Sequence, residues 1–143
     1  MTPASSVLPV SPALLDQLVA EAKLVRARAY APYSKYSVGA ALATATGRIY
    51  TGCNVENASY GATICAERSA IAQMIALGDD KPVACAVATG GASPGSPCGI
   101  CRQVLVEFAR DMPVILVSVT DDGHEVRRDT SLSALLPDAF VSF

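Results

Sequence analysis

Three cysteines in this sequence have neighbours and a spacing that suit a metal site. Cys98 and Cys101 form a C-x-x-C pair, and Cys65 begins the segment C-A-E-R. Three thiolates fill three positions of a tetrahedral zinc ion and leave the fourth open to water, which distinguishes a catalytic site from a closed structural one. The cysteines therefore predict a zinc site that could perform chemistry.

Two charged residues follow Cys65 at positions that suit this chemistry. Arg68 comes three residues after Cys65, so on a helix both share one face and the guanidinium can donate to the sulfurs. That charge would offset the net negative charge of three thiolates on Zn²⁺. Glu67 lies about 200° round the helix from Cys65 and can face the open position, where a carboxylate could move protons between water and a leaving group.

A C-x-x-C pair alone is also compatible with roles other than a catalytic metal site. It is also typical of a redox pair, a closed zinc site or two buried thiols. The fourth ligand of a closed site would have to be Cys53, Cys85 or His124. We expect Cys85 to be packed in an apolar strand, Cys53 to be buried at a strand end and His124 to be solvated after a turn.

The composition favours one compact domain over residues 1–143 with a small-molecule substrate. The 143 residues are 51% hydrophobic and carry a net charge of −2 without a cluster of Lys and Arg. Such a chain can bury a substantial core but lacks the basic surface that holds a phosphate backbone. We therefore expect no nucleic-acid partner.

The cellular location follows from two sequence features. The N-terminus lacks a basic start and a continuous apolar stretch, and no segment is long and apolar enough to span a bilayer. We expect a cytoplasmic protein without a membrane partner. In that compartment closely spaced cysteines more often bind metal or do redox work than form disulfides.

The elements that must position these residues alternate between helices and strands. Apolar periodicity, glycines and prolines predict helices over 12–30, 65–78, 98–110 and 131–136, and strands over 37–43, 48–55, 83–89, 114–119 and 124–129. This order predicts an α/β fold, a three-layer α/β/α arrangement around one mixed five-stranded sheet. The site cysteines then fall in the first turns of two helices, where the positive end of the helix dipole favours thiolates.

Five segments together resemble the small homotetrameric zinc-dependent cytidine deaminases. They are APYSKY at 31–36, GCNVENASY at 52–60, CAER at 65–68, PCGICRQ at 97–103 and LLPDAF at 135–140. Their order along the chain is the one expected for that family. The combination is far more specific than any single motif. It implies that the predicted three-layer α/β/α arrangement is the cytidine deaminase-like fold.

The resemblance implies a reaction and a cofactor. It implies one zinc ion per subunit held by Cys65, Cys98 and Cys101, with Glu67 shuttling protons. Water would replace the amino group at C4 of the cytosine ring, so that cytidine and 2'-deoxycytidine become uridine and 2'-deoxyuridine with release of ammonia. Such an enzyme serves pyrimidine salvage.

The same resemblance implies a set of substrate contacts. Asn54 and Glu56 would bind the sugar hydroxyl and the base edge, and the backbone at Ala66 would hold the pyrimidine carbonyl. Tyr36 would line the pocket at a position where the family usually has Phe. Fixed polar partners for a hydroxyl would reject analogues that lack it.

Two further aromatic residues would lie at subunit boundaries. In the family, the residue at the position of Phe140 comes from a neighbouring subunit and stacks on the base, and Tyr60 would also sit at a boundary. The resemblance thus implies a homotetramer with active sites shared between subunits. Ordinary core or interface packing is the alternative for these aromatics and for Tyr36.

Other functions compete with this interpretation. A deaminase of a cytosine-nucleoside antibiotic of the blasticidin S type shares the C-A-E and P-C-G-x-C-R-Q segments, whereas N-V-E-N at 54–57 favours cytidine. A tRNA or DNA deaminase usually has H-A-E in place of C-A-E and needs a basic surface. From a different class, a structural zinc or redox module remains an alternative.

Overall fold

The computed structural model describes residues 10–143 and contains the predicted order of elements. The helices are α1 (Pro12–Arg26), α2 (Ala66–Ala76), α3 (Gly99–Phe108) and α4 (Leu132–Leu135), with a 3-10 helix over Tyr60–Ala62. The strands are β1 (Gly39–Thr44), β2 (Ile49–Cys53), β3 (Pro82–Gly90), β4 (Pro113–Val119) and β5 (Glu125–Ser131).

The five strands form one mixed sheet in the order β2-β1-β3-β4-β5. Only β3 and β4 run parallel, with α3 as the crossover between them. The remaining neighbours are antiparallel. The prediction of an α/β fold with a mixed five-stranded sheet is therefore confirmed.

Helices cover both faces of the sheet. Alternate residues of β1, β3 and β4 point to opposite sides because successive side chains of a strand do so. One face packs against α1 through small side chains such as Ala41, Ala43 and Ala86, and the other packs against α2 and α3 through Leu42, Val87 and their neighbours. The result is the expected three-layer arrangement.

The first helix is shorter than its sequence pattern predicts. It begins where Ser11 accepts a hydrogen bond from the Leu14 N–H and Pro12 takes the first helical position, both common start signals. It ends at Arg26 and not at residue 30. The reason is that Tyr30 pairs with the segment after β2, donating from its N–H to the Asn54 carbonyl at 3.0 Å.

A buried aspartate joins the β1–β2 turn to the connection between α2 and β3. Asp79 is 7% exposed, and one of its carboxylate oxygens accepts hydrogen bonds from Thr44 at 2.6 Å, Thr46 at 2.7 Å and Tyr50 at 3.2 Å. The Thr44 hydroxyl is the main cause that lowers the pKa of Asp79 from 3.8 to about 2, against the opposing effect of burial. The ionised carboxylate is therefore the form that the fold stabilises.

This arrangement predicts acid sensitivity at one residue. Because the pKa in the folded protein is depressed, Asp79 contributes its full stabilisation above about pH 4 and loses it as the pH falls towards 2. We expect Asp79→Asn to lower the free energy of unfolding by about 2 kcal/mol at pH 7, and the difference from the parent to shrink as the pH falls through that window. Urea unfolding at several pH values measures this. Asp80→Asn, an exposed neighbour, is the matched control, and an equal effect of both substitutions would contradict the assignment.

The register of the strands brings three chain segments to one edge of the sheet. Gly39 at the start of β1 lies opposite Cys53 at the end of β2 and Ala88 near the end of β3. Val38 and Asn54, just beyond the ends of β1 and β2, are consequently near Thr89, the penultimate residue of β3. No helix within residues 10–143 has the length and apolar character needed to cross a bilayer.

Candidate active site

The three predicted metal ligands converge at this edge of the sheet. Cys65 caps the N-terminus of α2, Cys98 caps the N-terminus of α3, and Cys101 lies in the first turn of α3. Their sulfur atoms all lie within 4.8 Å of one another, with 3.8 Å between Cys65 Sγ and Cys98 Sγ. The two helix starts therefore deliver three sulfur atoms to one point.

The thiols have unequal electrostatic surroundings. Burial disfavours the thiolate of Cys98, but hydrogen bonds from the Cys101 backbone and other donors outweigh it and lower its pKa. Cys101 is fully buried, and this burial, with the nearby Glu67 carboxylate, raises its pKa. A buried thiol of this kind gains most from a cation, since a coordinated thiol gives up its proton.

Arg68 supplies positive charge to the cluster. Its Nη2 donates to Cys65 Sγ at 3.5 Å and to the Thr63 carbonyl at 3.4 Å. Hydrogen bonds to Cys65 and then Cys101 are the main causes that raise the pKa of Arg68. The guanidinium therefore stays charged beside the sulfurs and offsets the negative charge they would carry as thiolates.

This donor set fits a zinc ion with three protein ligands. Thiolate sulfur is a preferred zinc ligand, and catalytic zinc sites keep one position free of protein. Among residues 10–143, no other His, Cys, Asp or Glu joins the cluster. Of the possible fourth ligands, Cys85 is packed in the core and His124 is exposed, as expected, while Cys53 is half-buried and not fully buried.

Glu67 lies near the cluster and is buried. It is the second residue of α2, only 4% exposed, and lines a cleft together with Cys65 and Cys98. Burial raises the pKa of its carboxyl against the opposing positive charge of Arg68. A buried carboxyl with a raised pKa holds a proton more readily than an exposed one, which suits a group that accepts and releases protons.

The cleft has a volume of about 230 Å³ and shares Ser34, Glu56 and Thr63 with a neighbouring cleft of about 300 Å³. The first is lined by Ser34, Tyr36, Val38, Asn54, Glu56, Thr63, Cys65, Ala66, Glu67, Val87, Thr89, Ser96 and Cys98. The second adds Tyr33, Asn57 and Tyr60. Apolar walls with a few polar groups are typical of a small-molecule site.

Glu56 is held in place by its neighbours in the APYS segment. One carboxylate oxygen accepts from the Tyr33 N–H at 2.9 Å and the Ser34 N–H at 3.1 Å, and the other accepts from the Ser34 hydroxyl. The Ser34 hydroxyl is the leading cause that lowers the pKa of Glu56. The side chain therefore presents an ionised acceptor to both clefts.

Asn54 connects two strand ends. Its Oδ1 accepts from the Val38 N–H at 2.9 Å, and its Nδ2 donates to the Tyr36 carbonyl at 2.8 Å. A carboxamide has two N–H donors and an acceptor oxygen with two lone pairs. One donor and one lone pair are left for a ligand in the cleft.

Of the other residues predicted to contact substrate, three line the two clefts and one does not. Tyr36 and Ala66 line the cleft, and Tyr60 lines its neighbour, where it makes an edge-to-face contact with Tyr33 at 6.0 Å. Phe140 lines neither cleft of its own chain. Its carbonyl accepts from Gln103 at 2.8 Å, and its ring is exposed.

Sequence reasoning missed several residues that line the cleft. Ser34, Thr63 and Ser96 supply polar atoms, and Val87 and Thr89 come from the end of β3. Two of them could have been predicted from their place in the sequence, because Thr89 ends a predicted buried strand and Ser96 lies two residues before Cys98. The Ser34–Glu56 hydrogen bond joins residues that are 22 apart in the sequence, and no local pattern predicts it.

Comparisons with known proteins agree on one family. Residues 13–117 match the family described as the cytidine and deoxycytidylate deaminase zinc-binding region. The chain is 46% identical over 127 residues to the cytidine deaminase of Sporosarcina psychrophila, covering 88% of this chain and 90% of that protein. The Mycobacterium tuberculosis cytidine deaminase is 42% identical over 125 residues, covering 87% and 88%. A crystal structure of cytidine deaminase from Burkholderia pseudomallei has a TM-score of 0.78 at 45% identity, covering 87% of this chain and 98% of that one.

Proposed function

The chain belongs to the cytidine and deoxycytidylate deaminase zinc-binding family, and from this premise we propose that it hydrolyses cytidine and 2'-deoxycytidine to uridine and 2'-deoxyuridine with release of ammonia. The observation that carries the proposal is a cluster of three cysteine sulfurs, two of which belong to residues that line one cleft together with the buried carboxyl of Glu67. Pyrimidine salvage is the metabolic role that this reaction would serve.

Cys65, Cys98 and Cys101 would hold one zinc ion per subunit. When bound, zinc supplies a Lewis acid that lowers the pKa of water to roughly 7. Glu67 would take one proton from the attacking water and deliver it to N3 of the cytosine ring, and would then carry the second proton of that water to the departing amine. The C4–N bond breaks and a C4–O bond forms, so that cytidine and water give uridine and ammonia. Arg68 would keep the sulfurs charged and in place.

The polar residues at the strand ends would read the nucleoside. Glu56 and Asn54 have acceptor and donor capacity directed at the cleft and would bind the sugar hydroxyl and the base edge. The backbone at Ala66 would hold the pyrimidine carbonyl, and Tyr36 would line the pocket. Because a fixed acceptor loses its partner when the sugar is absent, free cytosine should be a much poorer substrate than cytidine.

A homotetramer with shared active sites would complete the pocket. Phe140 is 61% exposed and stacks on the exposed Phe143, and Tyr60 is 76% exposed beside the exposed Tyr33. Contiguous exposed apolar patches often mark protein–protein contacts. In the assembly, Phe140 would stack on the base in a neighbouring subunit's cleft. Light scattering should give a mass close to four times the 14.7 kDa of one chain, and a monomeric mass at working concentration would contradict this arrangement.

The cytoplasm is the compartment that suits this protein. A three-thiolate site requires reduced cysteines, and cytosolic reductants maintain that state. Fractionation of cells that express the full chain would place the activity with the cytosolic fraction. Activity that sediments with membranes would contradict the proposal.

Deamination of cytidine with and without a chelator tests the function. We expect loss of cytidine absorbance with release of ammonia, about one zinc per subunit, and loss of activity when zinc is removed. Free cytosine and a blasticidin S-type antibiotic serve as comparison substrates. A folded, zinc-loaded protein that leaves cytidine unchanged would contradict the proposal, and turnover of the antibiotic alone would assign the competing function.

A further inference from the structure

The hydroxyl of Tyr36, a residue that lines the cleft, lies close to a residue without a side chain. A Cβ atom added at Gly95 would lie 2.3 Å from the Tyr36 hydroxyl oxygen and 3.2 Å from Thr89 Cγ2. The first distance is far below any van der Waals contact. Gly95 does not have a positive φ, so its backbone conformation is open to other residues. Space for the Tyr36 hydroxyl is therefore the reason that this position needs glycine.

The segment that contains Gly95 leads directly into the metal ligands. The Gly95 N–H donates to Thr89 Oγ1 at 3.0 Å, and Thr89 is 2% exposed at the end of β3. Ser96 and Cys98 then line the cleft, and the buried Pro97 between them accepts at its carbonyl from Arg102 Nε at 2.7 Å. Displacement of Gly95 would consequently move the chain that carries Cys98.

Tyr36 is fixed at its other end by the polar residues of the cleft. Its carbonyl accepts from Asn54 Nδ2 at 2.8 Å, and its N–H donates to Ser34 Oγ at 2.9 Å. The Ser34 hydroxyl in turn donates to Glu56. Tyr36 therefore links the residues proposed to read the nucleoside, which its backbone contacts, to the segment before Cys98, which its hydroxyl approaches.

Building on the proposed function, we propose that Tyr36 and Gly95 form a size-matched pair that positions the 95–98 segment and so sets the width of the substrate cleft. A tyrosine ring cannot shorten, and it has only two side-chain torsions. A methyl group at residue 95 would force the segment away from the ring, together with Cys98. Removal of the Tyr36 hydroxyl frees the space that the methyl group needs. Tyr36 is a positioning residue in this view, in addition to lining the pocket.

A double-mutant cycle tests the pair. The four proteins are the parent, Tyr36→Phe, Gly95→Ala and the double variant, with Ser93→Ala as a control in the same loop. We expect Gly95→Ala to raise KM for cytidine at least tenfold when Tyr36 is present and less than twofold when residue 36 is Phe. Coupling between residues in contact is the signature of a shared space, and an equal effect in both backgrounds would overturn the proposal.

Two further readouts do not depend on turnover. The unfolding equilibrium constant should show the same coupling in urea, about tenfold or 1.4 kcal/mol. In cobalt-substituted protein, the thiolate-to-cobalt absorption bands should shift in Gly95→Ala and return towards the parent in the double variant. Unchanged bands in Gly95→Ala would also overturn the proposal. A parent protein without cytidine activity would contradict the proposed function, whereas the unfolding cycle would still decide the pairing of Tyr36 and Gly95.

Discussion

Replacement of Glu67 by Gln is expected to lower kcat for cytidine by about 10² to 10⁴ while the protein keeps its zinc. Gln has nearly the same shape as Glu, so the first turn of α2 and the cysteine cluster should stay intact. It cannot accept and release a proton near neutral pH, and Glu67 is the buried carboxyl beside the three sulfurs. Loss of cytidine absorbance gives kcat, and mass spectrometry of the metal gives zinc per subunit.

Arg68→Gln is the matched comparison because it changes the adjacent residue of the same helix. Arg68 donates to Cys65 Sγ and does not carry the proposed proton transfer. We expect this variant to hold zinc more weakly, since the charge of three thiolates is left uncompensated. Near-parent kcat in Glu67→Gln would assign the proton transfer to another group. Unchanged zinc affinity in Arg68→Gln would contradict the charge-compensating role.

The sequence was sufficient to place the predicted metal ligands at helix starts. Cys65 and Cys98 each precede an apolar-periodic segment, so each was expected at a helix start, and the structure places both as N-caps. The order of strands and helices was equally readable, because the buried strands β3 and β4 are short apolar runs bounded by glycine or proline. Helix starts and strand boundaries depend on short stretches of sequence, so local patterns predict them.

Contacts between distant side chains were not predictable in this way. The Asp79 cluster joins residues up to 35 apart, and the hydroxyl of Tyr36 meets Gly95 from another segment. The predicted end of α1 at residue 30 was wrong for the same reason. Tyr30 lies outside the helix and pairs with the end of a strand more than twenty residues away. Tertiary partners override a local helical pattern when they satisfy the backbone better.

The glycine in β2 was likewise visible in the sequence only as part of the segment GCNVENASY. A Cβ atom at Gly52 would lie 2.4 Å from the Ala70 nitrogen and 2.6 Å from the Ala66 carbonyl oxygen. Both are backbone atoms of α2, so no side-chain rotation can relieve the contact. The helix could only move away from β2, and it would take Glu67 and the cap residue Cys65 with it.

Gly52→Ala is therefore expected to lower both stability and activity. Overpacking of this kind costs about 1 to 3 kcal/mol and sometimes more, and displacement of α2 should reduce zinc content and kcat together. Urea unfolding, zinc analysis and the cytidine assay measure the three effects. Gly61→Ala is the control, because a Cβ there meets no atom within 4 Å and its φ is not positive. Parent-like stability and zinc content in Gly52→Ala would mean that α2 can shift without disturbing the site, and the close approach of helix and strand would then not be what positions Glu67.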